Sequence, residues 1–254
     1  MLAIERRNAI LEKLQVERRV VVSELSQLYN VSEETIRRDL EKLENDGYVI
    51  KSYGGAVLNE NTNVDLPFNV RKNRNVLGKQ KIAAIVSEMV HDGENIMLDA
   101  SSTAVAIAKA LKNKKDLTVI TNSLEIALEL IDVSGCNVIS TGGLATGSSF
   151  ALVGSVTDKT IRSYYVDKAI ISSKGIDLYA GITDSDERHA NNKASMLQMA
   201  KKKVLAVDSS KFGKIAFAKI GDLKDVAAIV TDKKPEEEWL QRLEELGVEC
   251  IFPE

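Results

Sequence analysis

The stretch Val31-Ser32-Glu33-Glu34-Thr35-Ile36-Arg37-Arg38-Asp39-Leu40-Glu41-Lys42-Leu43 reads as a helix made to face two environments. Ile36, Leu40 and Leu43 fall at i, i+4 and i+7, which makes one narrow apolar stripe for a core. The opposite side collects Glu34, Thr35, Arg38, Lys42 and Asn45, with Arg37 on its flank. Ser32 is placed to cap the first turn, where Glu33 and Glu34 meet the positive end of the helix dipole. Gly47 suits a left-handed C-cap. Two adjacent guanidinium forks on a short helix fit a reader of the DNA major groove, because arginine binds guanine and phosphate in bidentate fashion. For the arginine pair alone, a solvated charged face explains as much. The neighbouring sequence separates the two readings.

Upstream, Ile4, Ile10, Leu11 and Leu14 space a first helix, and a loop carries Arg18 and Arg19. Ser23 is the expected cap of a second, short helix with Leu25 and Leu28 inward. Tyr29 to Ser32 is then a tight connection, giving helix-turn-helix spacing. Downstream, Tyr48–Lys51 and Ala56–Leu58 are strand-like runs joined through Ser52-Tyr53-Gly54-Gly55, a hairpin wing. Lys51 and Tyr53 at its tip would lie beside the helix, within reach of phosphate or of the adjacent minor groove.

This segment resembles the winged helix-turn-helix of the DeoR family of bacterial sugar regulators. The family signature V-S-x-x-T-I-R-R-D-L stands here as Val31 to Leu40, and Tyr53 to Ala56 supplies its Y-G-G-A wing. The resemblance implies DNA binding through Ser32, Glu34, Thr35, Arg37, Arg38, Lys42, Lys51 and Tyr53.

The chain has 254 residues and a net charge of −3. Residues 1–58 hold nine Lys or Arg against ten Asp or Glu, so DNA affinity must come from local arrangement and not from bulk charge. Cys136 and Cys250 stand apart, without clustered His, which suggests neither a disulfide framework nor a metal site. No cofactor is called for. No apolar run approaches the ~18 residues of a membrane span, and no leader opens the chain, so a cytoplasmic protein is expected.

We expect the DNA-binding domain over 1–58, a linker over 59–70 and a larger domain over 71–254. Arg71, Lys72, Arg74, Lys79 and Lys81 open a helix running on through Ile82, Ile85, Val86 and Met89. From residue 95 apolar runs alternate with amphipathic helices, which predicts an α/β domain with a mostly parallel buried sheet. Ligands of such sheets bind beyond the carboxyl ends of the strands. Those ends carry Asp99-Ala100-Ser101-Ser102-Thr103, Thr121-Asn122-Ser123, Thr141-Gly142-Gly143, Ser172-Ser173-Lys174-Gly175-Ile176-Asp177 and Asp208-Ser209-Ser210-Lys211. Each alone reads as an ordinary helix cap. Together they offer hydroxyl, amide and ammonium donors for a phosphate, and carboxylates for sugar hydroxyls.

The larger domain resembles the sensor domain of the same family, and through it the ribose-5-phosphate isomerase type of fold. The resemblance implies phosphate held at Ser101, Ser102 and Thr103, with Ser101 where the family carries glycine. It implies the sugar near Asp99, Asn122 and Asp177, with Gly143, Lys174, Asp208 and Lys211 around it. Glu187 and Lys193 resemble the later acid and lysine of the isomerases. Their K-G-G-G-G segment is replaced here by Leu178 to Asp184, which implies binding without turnover. The charged run 184–192 is either a loop closing over ligand or a plain surface loop, and His189 within it a surface group. Trp239 reads as a packing anchor.

The expectation is a repressor of a sugar-utilisation operon. It would bind operator DNA as a homodimer or homotetramer under control of a phosphorylated sugar. The alternative is a sugar-phosphate isomerase with an accessory DNA-binding head.

Overall fold

The structure is a computed structural model that describes residues 1–59 and 67–253. Contacts divide the chain into two units, Met1–Arg74 and the residues from Asn75 onward.

The small unit runs α1 (Ala3–Glu17), β1 (Arg19–Val21), α2 (Val22–Tyr29), α3 (Glu33–Asn45), β2 (Val49–Ser52), β3 (Gly55–Leu58) and α4 (Phe68–Asn73). Its core gathers Ile10, Leu11 and Leu14 of α1, Leu25 of α2, and Ile36, Leu40 and Leu43 of α3. The apolar stripe of the motif is thus wholly inward. Ser32 caps α3 by accepting the Thr35 amide at 3.2 Å, and Gly47 follows the helix at φ +79°. The wing pairs β2 with β3, and β1 joins it in the order β1-β3-β2.

Several expectations change here. Arg19 lies in a strand and not in a loop, because Arg19 to Val21 pairs with Val57 to Gly55 across more than thirty residues of sequence. Ser23 is not a cap: α2 begins at Val22, capped from Val21. Leu28 faces outward at 59% exposure. Residues 60–66 of the expected linker lie outside the described residues. Its last three, Phe68 to Val70, are helical, and Val70 packs in the small core. The helix expected to run unbroken to Met89 is interrupted at Asn75, which takes φ +47° and caps a separate helix.

The large unit runs α5 (Val76–Met89), β4 (Asn95–Leu98), α6 (Ser102–Ala110), β5 (Leu117–Thr121), α7 (Leu124–Leu130) and β6 (Cys136–Ser140), then β7 (Leu144–Thr146), β8 (Ala151–Val153) and α8 (Ser155–Arg162). It continues with β9 (Val166–Ile171), β10 (Gly175–Asp177), β11 (Gly181–Asp184), α9 (Glu187–Gln198), β12 (Ala200–Ala206), β13 (Ala218–Gly221), β14 (Ala228–Val230), α10 (Glu237–Glu245) and β15 (Glu249–Ile251). Seven strands form one parallel sheet in the order β15-β14-β12-β9-β4-β5-β6. Buried Val, Ile and Leu dominate the five inner strands, as a sheet covered on both faces requires, while the edge strands β6 and β15 are only partly buried. The short strands β7, β8, β10, β11 and β13 form two antiparallel additions. Trp239 meets Phe212 edge to face at 4.8 Å, the packing role expected of it.

The strand order has one reversal. From β4 the chain winds one way through β5 and β6, and from β9 the other way through β12, β14 and β15. The switch lies between β4 and β9, and in open α/β sheets the crevice at such a point is where ligands bind.

Candidate nucleic-acid interface and ligand crevice

On the small unit, Arg37, Arg38 and Lys42 project from the exposed side of α3, and Lys51 and Tyr53 from the wing; Tyr53 is fully exposed. Thr35 is drawn to the cap, its hydroxyl 2.9 Å from that of Ser32. Each of the four cations already has an acid. Arg37 binds Glu33 at 2.5 Å, Arg38 lies 3.3 Å from Glu34, Lys42 3.1 Å from Asp46, and Lys51 3.0 Å from Glu44. Glu44 also accepts the Lys51 amide at 3.0 Å, and this amide together with the ammonium holds its carboxyl below the ordinary range.

Asp39, the acid within the signature, turns inward. It takes Arg6 at 2.5 Å and Arg7 at 3.5 Å, with Arg6 and Asp39 both buried. This pair bolts the reading helix to α1. The sequence reading missed it, because Asp39 and Arg6 lie 33 residues apart.

On the large unit, the carboxyl ends of the strands converge as expected. Asp99, one residue beyond β4, is buried. Its Oδ1 accepts the Ser101 hydroxyl at 2.7 Å and the Ser172 amide at 3.3 Å. Its Oδ2 lies 3.2 Å from the Lys193 ammonium. Lys193 also pairs with Asp184, and all three residues are buried. Burial alone would lower the Lys193 ammonium, but Asp184 and Asp99 outweigh it and hold it above its usual value. Burial likewise pushes Asp184 up, yet Lys193, Lys174 and His189 bring it down to about 2.

Ser101 caps α6 by accepting the Ala104 amide at 3.0 Å while donating to Asp99, so in place of glycine it tightens the loop. Ser102 and Thr103 form the first turn of α6, where helix amides lack intrahelical acceptors. Asn122 beyond β5 donates to the Leu152 carbonyl at 3.0 Å, as does Asn192 of α9 at 3.2 Å, which ties the β7–β8 hairpin to the sheet edge. Gly143 takes φ +116°, and a Cβ there would sit 2.1 Å from the Thr157 hydroxyl; this glycine lets the loop after β6 pack on α8.

A second group lies past β12. Asp208 accepts the Ser210 amide at 3.0 Å and its hydroxyl at 2.5 Å. Burial raises its carboxyl, but Lys211, Ser210 and Lys79 outweigh that and set it below the usual range. Strands β4 and β12 flank β9, so the Asp99 and Asp208 groups stand roughly 10 Å apart on one edge.

Two expected ligand residues stand elsewhere. Asp177 pairs with Gly181 at the turn of the β10–β11 hairpin, and its carboxylate accepts the Tyr179 and Ala180 amides, both at 2.9 Å. It serves its own turn, three residues of strand away from Lys174. Glu187 is exposed on the first turn of α9, about 120° around the helix from Lys193. The run 184–192 is not a loop: Asp184 ends β11, Asp186 caps α9, and the rest is helix. His189 is accordingly half-buried, its Nε2 3.3 Å from the Ser149 hydroxyl. Asp184 and Asp232 were missed. Asp232, beyond β14, accepts the Ser209 amide at 2.6 Å and the Asn75 side chain at 3.2 Å.

Among the described residues, three buried side-chain polar atoms have no partner, Asn122 Oδ1, Ser173 Oγ and Thr231 Oγ1, and a fourth, Asp99 Oδ2, has the Lys193 ammonium beside it but no well-aligned hydrogen bond. All four lie within two residues of the carboxyl end of a strand of the parallel sheet. Each such atom costs about 1–3 kcal/mol, so their gathering at one edge marks a place where a ligand supplies partners.

A winged helix-turn-helix joined to a parallel α/β unit with a polar crevice defines a ligand-responsive DNA-binding regulator. Comparison with known proteins agrees. Residues 6–62 match the DeoR-like helix-turn-helix domain, and residues 74–233 match the DeoR C-terminal sensor domain. The chain is 39% identical over 248 residues to the HTH-type transcriptional regulator YulB of Bacillus subtilis, covering 98% of this chain and 96% of the relative. It is 35% identical to the transcriptional repressor GlcR of the same organism, covering 98% and 96%. It is 30% identical to the glycerol-3-phosphate regulon repressor of Escherichia coli, covering 91% of each. A ribose-5-phosphate isomerase from Methanocaldococcus jannaschii overlaps 53% of each chain at 18% identity with a TM-score of 0.39, too slight an overlap to bear on chemistry. The chain belongs to the DeoR family of transcriptional regulators.

Proposed function

We propose that this regulator represses a sugar-utilisation operon, and that a phosphorylated sugar or polyol binding in the β4–β9 crevice controls its hold on the operator. The observation that carries this reading is the set of three buried polar atoms without partners along one sheet edge, beside the Asp99–Lys193 pair. Ser102 and Thr103 at the start of α6 suit the phosphate, with Lys174 and Lys211 as its cations. Asp99, Asn122 and Lys193 suit hydroxyls. The name of the E. coli relative points to the same class of ligand.

The protein acts in the cytoplasm as a homodimer or homotetramer, since one winged head contacts a single half-site. It carries out no turnover. Asp177, the carboxylate expected near the sugar, is engaged by the Tyr179 and Ala180 amides of its own turn.

A thermal-shift screen of phosphorylated sugars against their unphosphorylated counterparts tests the reading. A true effector at about 100 times its Kd adds about 2.7 kcal/mol of stability, and only the phosphorylated form does so. Ser102→Ala combined with Lys211→Ala abolishes that response and leaves operator binding intact. A shift that survives both substitutions displaces the site. A coupled assay with pentose and hexose phosphates is expected to show no product, and isomerisation lost in Asp99→Asn would restore the enzyme reading.

A further inference from the structure

We propose that Glu33, Glu34, Glu44 and Asp46 are specificity-determining residues, which hold the cations of the reading face in ion pairs and so suppress binding to DNA of the wrong sequence. This rests on the proposal that α3 and the wing contact the operator. Four cations were expected to touch DNA, and each is paired with an acid of α3 or its cap: Arg37–Glu33, Arg38–Glu34, Lys42–Asp46 and Lys51–Glu44. The acids also leave residues 1–58 with one more negative than positive group, nine against ten.

Helix stability alone does not account for this pattern. Glu33 and Glu34 precede their arginines by four residues, the order that stabilises a helix. Asp46 follows Lys42 by four, the poorer order, and stands at the negative end of the helix dipole, where an acid is unfavourable. Glu44 reaches out of the helix to the wing. What the four share is the cation they cover.

The physical consequence follows from what each DNA contact gains. Sequence-independent affinity comes from Lys and Arg replacing counterions on phosphate. A cation already neutralised by a carboxylate gains less from phosphate, and the displaced carboxylate is left beside the phosphate chain. On the right sequence, bidentate contacts to the neutral guanine N7 and O6 offset that loss. Wrong sequences offer no such return, so the acids widen the gap between right and wrong sites.

The test uses the full-length protein and a duplex obtained by selection from random sequence, with a scrambled duplex as the control. Binding is measured for wild type, Glu33→Gln, and Glu33→Gln with Asp46→Asn, over a range of salt concentrations, with thermal unfolding in parallel. The double variant is expected to bind the scrambled duplex on the order of tenfold more tightly, with a steeper salt dependence, while affinity for the selected duplex changes less. Equal gains on both duplexes, or no gain on either, overturn the inference. If the double variant is unfolded, the same comparison is read from Glu33→Gln alone. Failure of the wild type to select any sequence instead overturns the DNA-binding proposal beneath it.

Discussion

Lys193 is buried between two carboxylates, and the charge of Asp184 offsets much of the cost of burying its ammonium. Asp184 has a folded value of about 2, below the 3.8 of an ordinary aspartate. A depressed carboxylate stabilises the fold above its unfolded value, and that contribution fades as pH falls from about 4 toward 2. Asp184→Asn is therefore less stable than wild type at pH 7, and the gap narrows by pH 3. Denaturant unfolding of both proteins at the two pH values measures it, and a constant gap removes the ion pair as the cause. On the other unit, Arg38→Ala is expected to weaken operator binding by about 1–3 kcal/mol per head, with relaxed preference at one base pair. Unchanged affinity and preference take Arg38 off the reading face. Much at this scale was readable beforehand: Asp99, Ser101 and Asn122 stand where the strand ends put them. Asp184 was not, because its run of charges disguised a strand end followed by a capped helix, and only the fold brings Lys193 back to it.

The elements whose period spans several turns were legible, since a helix or a buried strand writes its pattern locally. The recognition helix is the clearest case. Ser32→Ala is expected to cost about 1 kcal/mol through loss of the Thr35 amide bond, read as a fall in the unfolding midpoint of the small unit. Strands of three residues, such as β1, β7 and β10, have no period to read and exist through pairing with distant partners. The same distance hid the Arg6–Asp39 bolt. Removing one side of it, as in Arg6→Ala, leaves a buried charge and should destabilise the small unit by about 3–5 kcal/mol. Replacing both, Arg6→Met with Asp39→Leu, should recover most of that loss. If the double replacement is no better than the single, the pair is not what holds α3 in place.

At the scale of the whole molecule, two recognition surfaces must be coupled. Binding in the crevice alters DNA affinity only if ligand favours one arrangement of paired heads, with a coupling typically of roughly 1–3 kcal/mol. The operator is then expected to hold two half-sites spaced by whole turns of DNA, about 10 base pairs or a multiple. Footprinting measures this, and a single protected half-site speaks against the dimer. The parallel sheet was foreseeable from the alternation of apolar runs and helices, but its strand order was not, because register between non-consecutive strands is written in no single segment.

That order has a bearing on biosynthesis. The crevice opens between β4 and β9, which are supplied by the early and late halves of the sensor unit, with five strands and more than seventy residues leaving the ribosome between Asp99 and Ser172. A nascent chain that has completed its DNA-reading head and its first wind of sheet is still blind to metabolite. Responsiveness arrives only with the second wind, so a copy cut short before β9 would lack the crevice altogether.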